Sequence, residues 1–236
     1  MIDFNKISPI TQARIAGLTY LLGSLVSVFG QMIVLGKVII PGNPTETASN
    51  ILGNESLFRL GFVSALMTVP FHLLWAVLFY NLFKHVNRSI SRLALYTMLV
   101  ACTMWSISAL FYISILSVLK GKIFITAFEP DHLHALSLML VKINAHAYDI
   151  GLVFFGIWCM ALGYLIFKST FIPKVIGILL MFSGLGYLTL LWQPLANYTY
   201  PYNLALAGPG EISLLLWLII KGLNADKWAK IHQGAT

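Results

Sequence analysis

Charged side chains are scarce in this sequence. They make up 10% of its 236 residues, whereas soluble domains contain about a quarter. This low charge content, together with 58% hydrophobic residues, excludes an ordinary soluble domain and is typical of a protein embedded in a membrane. The few ionisable groups inside or beside apolar segments are therefore the main sequence clues to function.

Cysteine is almost absent, and the short motifs of familiar enzymes are missing. Cys102 and Cys159 both lie in apolar runs, so no disulfide framework or zinc spacing can be read from them. Buried thiols usually act as small packing groups, although these two could meet between the third and fourth helices. Phosphate-binding glycine loops, metalloprotease motifs and serine elbows do not occur. The sequence therefore predicts no cofactor and no bound metal, and it identifies no catalytic residue.

Six long apolar runs occupy most of the chain. About 20 apolar residues cross the hydrocarbon core as a helix, because a helix satisfies its own backbone hydrogen bonds. The runs predict an all-α fold, a polytopic six-transmembrane-helix bundle that forms a single integral membrane domain over residues 1–236. The predicted spans are 14–36, 59–83, 92–118, 143–167, 174–192 and 204–223.

Basic residues predict the orientation. Of the 15 Lys and Arg residues, ten lie on the side that holds both termini and five on the opposite side. Because basic loops favour the cytoplasm, both termini are predicted to be cytoplasmic. The basic residues lie at the ends of apolar runs, and this placement also argues against nucleic-acid binding. The ten residues are Lys6, Arg14, Lys84, Arg88, Arg92, Lys168, Lys174, Lys221, Lys227 and Lys230.

Two outer connectors contain helix signals. The segment 45–54 predicts a short helix lying on the membrane. Further along, Pro130 suits the first turn of a helix, and the acidic residues beside it suit the positive end of the helix dipole. From Pro130 a helical pattern runs to Phe167, about 55 Å at 1.5 Å per residue, which exceeds the ~30 Å core. The first third of this helix is expected to project above the membrane or bend along it.

Several glycines recur at intervals of seven residues. Small residues at this spacing let helix backbones approach closely in lipid, so they predict helix packing and not a cofactor loop. The pairs are Gly23 and Gly30, Gly156 and Gly163, and Gly177 and Gly184.

A stripe of ionisable residues marks the start of the fourth span. Lys142, His146 and Asp149 are separated by four and then three positions, so they share one face of a helix. Asp149 is close enough along this stripe to orient the imidazole of His146. Two interpretations are open: a functional face, or a solvated face of a helix that has not yet entered the bilayer.

Glu211 follows Gly208-Pro209-Gly210 in the outer third of the last predicted span. An interrupted span beside an ionisable residue often lines a cavity. Alternatively, Pro209 opens the helix and Glu211 stabilises its N-terminal end through the dipole. Both interpretations remain open. In the second span, His72 follows Pro70, and a structural histidine is favoured there over a ligand or proton relay.

Arg59 lies four residues after Glu55, a spacing that favours an intrahelical ion pair. By residue count Gln31 and Arg59 lie at the same depth as His146, Asp149 and Glu211. We therefore predict a polar pocket at the outer face that binds or passes a small ligand, with His146 as its pH-sensitive group. The predicted ligand-binding residues are the cationic anchors Arg59 and Lys142, the counter-charges Asp149 and Glu211, and His146.

Two other functions remain open. In the first, an intramembrane enzyme uses His146 as a general base oriented by Asp149, or holds a metal with His146, Asp149 and Glu211. In the second, a structural or regulatory partner contains no site, and its polar groups merely pair at the interface. The loop and tail histidines, His85 and His232, are predicted to be ordinary surface groups.

Six segments resemble a known family when they are taken together and in order. They resemble the bacterial multi-pass membrane family catalogued as domain of unknown function 4386, over roughly residues 13–222. The resemblance implies a multi-pass protein of the bacterial cytoplasmic membrane, but no reaction, substrate or site residue. The expected partners are the lipid bilayer and a small-molecule ligand. The segments are ARIAGLTYLL (13–22), NILGNESLFRLG (50–61), FEPDHL (128–133), GLVFFG (151–156), LGYLIFK (162–168) and GEISLLLW (210–217).

Overall fold

The computed structural model describes residues 7–233, and every regular element in that range is helical. The predicted all-α fold class is therefore confirmed. Lys6, one of the basic residues used to predict the orientation, lies outside the described residues. The orientation of the chain in a membrane stays a prediction.

Twelve α-helices are described in residues 7–233. A π-helical segment, Val28–Val34, joins the first two, and a short 3₁₀ turn, Thr189–Leu191, follows the eighth. The helices are α1 (Pro9–Ser27), α2 (Leu35–Val38), α3 (Pro44–Gly53), α4 (Glu55–Phe83), α5 (Arg88–Lys120), α6 (Lys122–Ala127), α7 (Pro130–Lys168), α8 (Lys174–Leu188), α9 (Gln193–Thr199), α10 (Tyr202–Ala205), α11 (Ala207–Ile220) and α12 (Ala225–Gln233).

Five continuous helical stretches are long and apolar enough to cross a membrane. They overlap the first five predicted spans, although the fourth begins at Pro130 and not at residue 143, and this supports a membrane protein. The unbroken helix predicted after Pro130 is confirmed, because α7 is 39 residues long. The helix predicted at 45–54 is also present as α3, whose first turn is capped by the Asn43 side chain accepting from the Glu46 N–H. The five stretches are Pro9–Val38, Glu55–Phe83, Arg88–Lys120, Pro130–Lys168 and Lys174–Leu191.

The sixth span is shorter than the predicted 204–223. Helix α11 is apolar but has 14 residues, about 21 Å at 1.5 Å per residue. It begins at Ala207, whose carbonyl accepts a 2.8 Å hydrogen bond from the Ser183 hydroxyl of α8. Pro209 falls in its first turn, where the missing N–H costs no helical bond. The helix ends before Gly222, whose φ of +69° is accessible to glycine at little cost.

The chain packs as two compact units. Unit 1 contains the described part of 1–22, Pro70–Cys102 and the described part of 150–236. Unit 2 contains Gly23–Val69 and Thr103–Asp149.

Unit 2 has a buried core around the aromatic ring of Tyr112, which packs 4.6 Å from the ring of Phe58. A reciprocal polar contact joins α5 to α7 in this unit. The Ser108 hydroxyl donates to the Asn144 carbonyl at 3.0 Å, and the Asn144 amide donates to the Ser108 carbonyl at 2.8 Å. These buried groups satisfy each other, as polar groups shielded from water must.

Unit 1 contains two glycine contacts between α7 and α8. A Cβ on Gly184 would come within 2.6 Å of the Gly156 carbonyl oxygen, and one on Gly177 within 2.6 Å of the Gly163 carbonyl oxygen. The two helix backbones therefore approach more closely than any side chain would permit. This confirms the predicted packing role of these four glycines.

Candidate functional site

Two tyrosines from distant parts of unit 1 bind the carboxyl group of Glu211. The Tyr20 hydroxyl of α1 donates to Oε2 at 2.7 Å, and the Tyr187 hydroxyl of α8 donates to Oε1 at 2.7 Å. Each carboxyl oxygen therefore accepts one phenolic hydrogen bond. The sequence analysis identified Glu211 but neither tyrosine.

Close contact between α8 and α11 positions this carboxyl. A Cβ on Gly210 would come within 2.6 Å of the Leu179 carbonyl oxygen, so the glycine immediately before Glu211 lets α11 approach the α8 backbone. Ser183, one helical turn after Leu179, bonds the first residue of α11. Tyr187, one further turn along α8, reaches the Glu211 carboxyl.

Five aromatic rings form a continuous cluster beside the carboxyl. Ring centroids lie 3.8 Å apart for Tyr20 and Trp75, 4.7 Å for Trp75 and Trp158, 5.3 Å for Trp158 and Phe155, and 5.3 Å for Phe155 and Tyr187. We call Glu211 and these five residues the Glu211 site. All six belong to unit 1.

Helical spacing explains how the aromatic cluster forms. Phe155 and Trp158 are three residues apart and therefore share one face of α7. His72 and Trp75 share a face of α4 in the same way, and their rings meet edge-on at 4.8 Å. His72 is 5% exposed and packs against rings, in keeping with the structural role favoured from the sequence.

Two polar groups of the site lack a partner of the expected kind among residues 7–233. The indole N–H of Trp75 is buried and has no hydrogen-bond partner, although such groups are nearly always satisfied. In addition, Glu211 forms no ion pair within residues 7–233, where the ion pairs are those of Glu55. The site therefore combines a carboxyl that lacks a counter-ion with a hydrogen-bond donor that lacks an acceptor.

The intrahelical ion pair predicted for Arg59 is present. Its guanidinium lies 2.8 Å from Oε1 of Glu55, and the same carboxylate also binds Lys120 of α5. Arg59 and Lys120 are well exposed, so this three-residue contact stabilises the fold only weakly.

The other four predicted ligand-binding residues belong to unit 2, whereas Glu211 belongs to unit 1. Arg59 lies on α4, and Lys142, His146 and Asp149 lie on α7. The side chains of Lys142 and His146 are exposed, and Asp149 is half-buried. Across the described part of the chain no ion pair joins His146 to Asp149. The role of these residues in ligand binding stays a prediction.

The structure offers no ligand set for a metal. Among the residues it describes, no three His, Cys, Asp or Glu side chains are grouped so that they could hold a metal ion. Cys102 and Cys159 are both buried, and neither forms a disulfide bond. No observation on the described residues therefore supports the hypothesis that His146, Asp149 and Glu211 hold a metal ion.

A second titratable cluster lies outside the long apolar helices. His232 of α12 stacks on Trp228 at 4.8 Å and lies 4.1 Å from the ring of His85, and the Trp228 indole donates to the Leu82 carbonyl at 3.1 Å. The prediction of ordinary surface histidines is wrong, because one ring nitrogen of each is buried without a hydrogen-bond partner. Their contact with each other, and the stacking of His232 on Trp228, reduce their exposure to water.

This histidine contact predicts a pH dependence. Burial, then the charges of His232 and Lys84, hold the pKa of His85 below its ordinary value of 6.5. Once α12 has undocked, His85 binds a proton more readily, so the contact is fully stable above about pH 6.5 and weakens as the pH falls through the lowered pKa. We expect hydrogen exchange of residues 225–233 to accelerate between about pH 8 and pH 5, relative to its intrinsic rate. His85→Gln should reduce this dependence, and a flat wild-type profile would contradict it.

Comparisons with known proteins leave the chemistry of these side chains open. Residues 15–222 match the family described as "Domain of unknown function (DUF4386)". A protein of Archaeoglobus fulgidus, described as "Uncharacterized protein", is 36% identical over 76 residues, which cover 31% of this chain and 45% of that protein. The match thus spans less than half the length of this relative. No solved structure matches the chain.

Proposed function

The chain belongs to the family described as domain of unknown function (DUF4386), and because that description names no activity, we propose from the geometry of the Glu211 site that the protein binds a small cationic ligand in the membrane. One observation carries the proposal. The Glu211 carboxyl, on an apolar helix, accepts a hydrogen bond at each oxygen from a tyrosine and forms no ion pair within residues 7–233.

A cation would complete the electrostatics of the site. An acidic residue costs about 2.5–3.5 kcal/mol on insertion scales at the centre of a membrane helix and less toward its ends, where Glu211 lies, and such residues usually have a functional partner. Two phenolic hydrogen bonds lower this cost but leave the charge uncompensated. Aromatic faces are negative and attract ammonium groups, most strongly when water is excluded. The carboxyl and the neighbouring rings therefore match a small organic ammonium ion.

Proton exchange at Glu211 is a second candidate, favoured by the close packing of the rings. Centroid separations of 3.8–5.3 Å along the cluster leave little space, and a proton needs none. An ionised carboxyl accepts from both tyrosines, whereas a protonated one must donate through one oxygen. One tyrosine would then turn its hydroxyl and accept. A single proton would thus reorganise the hydrogen bonds among three helices.

The predicted outer residues add a separate proposal. We propose that Arg59, Lys142, His146 and Asp149 contact a small ligand at the extracytoplasmic surface of a bacterial cytoplasmic membrane. The exposure of Lys142 and His146 supports this, because a ligand can reach both side chains. Joint replacement of Lys142 and His146 by alanine should then reduce the rise in the thermal unfolding midpoint that a bound ligand causes in the purified protein. An unchanged response would remove these residues from the proposal.

Thermal unfolding of the purified protein in detergent tests the Glu211 proposal. Tetramethylammonium should raise the midpoint of the wild type, and the neutral analogue tert-butanol should not. Glu211→Gln keeps the side-chain shape, removes the charge and should abolish the response. Glu46→Gln, on α3 in unit 2, is the matched control and should respond like the wild type. If the midpoint depends on pH in the wild type but not in Glu211→Gln, and does not respond to tetramethylammonium, proton exchange is the better candidate. If the midpoint responds to neither pH nor tetramethylammonium, both candidates are contradicted.

A further inference from the structure

A groove lined by residues of α8 and α11 lies within unit 1. Its volume is about 360 Å³, within the size range of small-molecule sites. Val175, Ile176, Leu216 and Ile220 give it an apolar wall. Ser213 on α11 and Lys221, which directly follows α11, mark its extent, eight residues or about 12 Å at 1.5 Å per residue. A groove of this form suits an extended hydrocarbon chain.

We propose that this groove binds an anionic phospholipid, with an acyl chain along the apolar wall and the phosphate at the end where Lys221 lies. Lys221 is exposed and lines the groove. Trp217 also lines it, through the apolar surface of its ring. The groove therefore places a cation beside an apolar channel, and an anionic lipid can use both, the cation for its phosphate and the channel for an acyl chain.

The start of α8 lies at the same end, where the positive end of its dipole offsets the negative end of the α11 dipole. Pro173 lines the groove and precedes the first helical residue, Lys174, and no side chain caps the free N–H groups of this helix. Exposed N–H groups at a helix N-terminus favour an anion. The groove lining contains no acidic residue. The phosphate of a zwitterionic lipid would bind here equally well. The ammonium group of that lipid would find no acidic partner in the groove and would be repelled by Lys221.

Binding of phosphatidylglycerol to the purified full-length protein tests this proposal by native mass spectrometry. Phosphatidylcholine and inorganic phosphate serve as the comparison probes. Lys221→Gln should weaken phosphatidylglycerol binding about fivefold to tenfold, as expected for one lysine near an anionic headgroup. Val175→Trp should fill the groove and reduce binding further, and Val175 is 59% exposed, so the core is not disturbed. Lys230→Gln, an exposed lysine on α12, should have no effect.

The possible results are distinguishable. Preference for phosphatidylglycerol over phosphatidylcholine, lost in Lys221→Gln and in Val175→Trp, would support the site. Wild-type binding by both variants would overturn it, because the lipid would then lie elsewhere. Equal binding of both lipids would overturn the role of the headgroup, and equal competition by inorganic phosphate would overturn the role of the acyl chain. None of these results depends on Glu211.

Discussion

Replacing Gly184 by alanine should lower the free energy of unfolding by about 1–3 kcal/mol, the usual range for forcing a methyl group into a packed interior. A Cβ at this position would lie 2.6 Å from the Gly156 carbonyl oxygen and 3.1 Å from the Met160 backbone nitrogen. Both are backbone atoms, so α7 would have to move away from α8. Gly163→Ala should behave similarly, because its Cβ would lie 2.6 Å from the Gly177 carbonyl oxygen.

Gly36→Ala is the matched control. Nothing lies within 4 Å of a Cβ at Gly36, which is also part of a helix. Alanine there should stabilise the protein by about 0.5–1 kcal/mol, because glycine loses more backbone entropy on folding. Equilibrium unfolding in mixed micelles measures both changes. Equal stability of Gly184→Ala and Gly36→Ala would show that the two helices do not meet at these glycines.

Removing either phenolic hydroxyl at the Glu211 site should cost about 1.5–3 kcal/mol, the value of a hydrogen bond to a charged group. Tyr20→Phe and Tyr187→Phe keep the rings in the cluster and delete one donor each. In a double-mutant cycle, Tyr20→Phe should cost much less in a Glu211→Gln background, because the neutral amide accepts a weaker bond. The coupling energy reports the Tyr20–Glu211 contact itself.

Tyr112→Phe is the control for losing a buried tyrosine hydroxyl. Tyr112 is 0% exposed and Tyr20 is 2% exposed, but the Tyr112 hydroxyl has no hydrogen-bond partner. Its removal should therefore leave the free energy of unfolding unchanged or raise it, since an unsatisfied buried group is lost. If Tyr20→Phe and Tyr112→Phe cost the same, the 2.7 Å contact with Glu211 contributes no stability.

Hydropathy and local signals predicted most of the helices. The long apolar runs predicted the first five spans, Pro130 marked the start of α7, and the seven-residue glycine spacing predicted close helix packing, which the structure shows at Gly156 and Gly184. The start of α11 was predicted about three residues early. Pro209 in the first turn marks this start, as the alternative interpretation had it, and the hydrogen bond between Ser183 and Ala207, a tertiary contact without a local signature, joins it to α8.

The Glu211 site was only partly predictable. Counting residues from the predicted outer face assigned Glu211 to a layer with four other polar groups, but its hydrogen-bond partners are Tyr20 and Tyr187. Tyr20 is 191 positions away in the chain, and nothing in either segment identifies the other. The three-residue spacing of Phe155 and Trp158 does indicate an aromatic face on α7. The sequence does not indicate which carboxyl this face contacts, because that contact depends on the tertiary fold.

Calorimetric titration of the purified protein with tetramethylammonium tests the central claim most directly. If Glu211 supplies the negative charge for a cationic ligand, the wild type and Tyr112→Phe should bind one ion per chain, and Glu211→Gln should bind none. Saturable binding that is equal in the wild type and in Glu211→Gln would contradict the account, because the carboxyl would then take no part in recognising the cation.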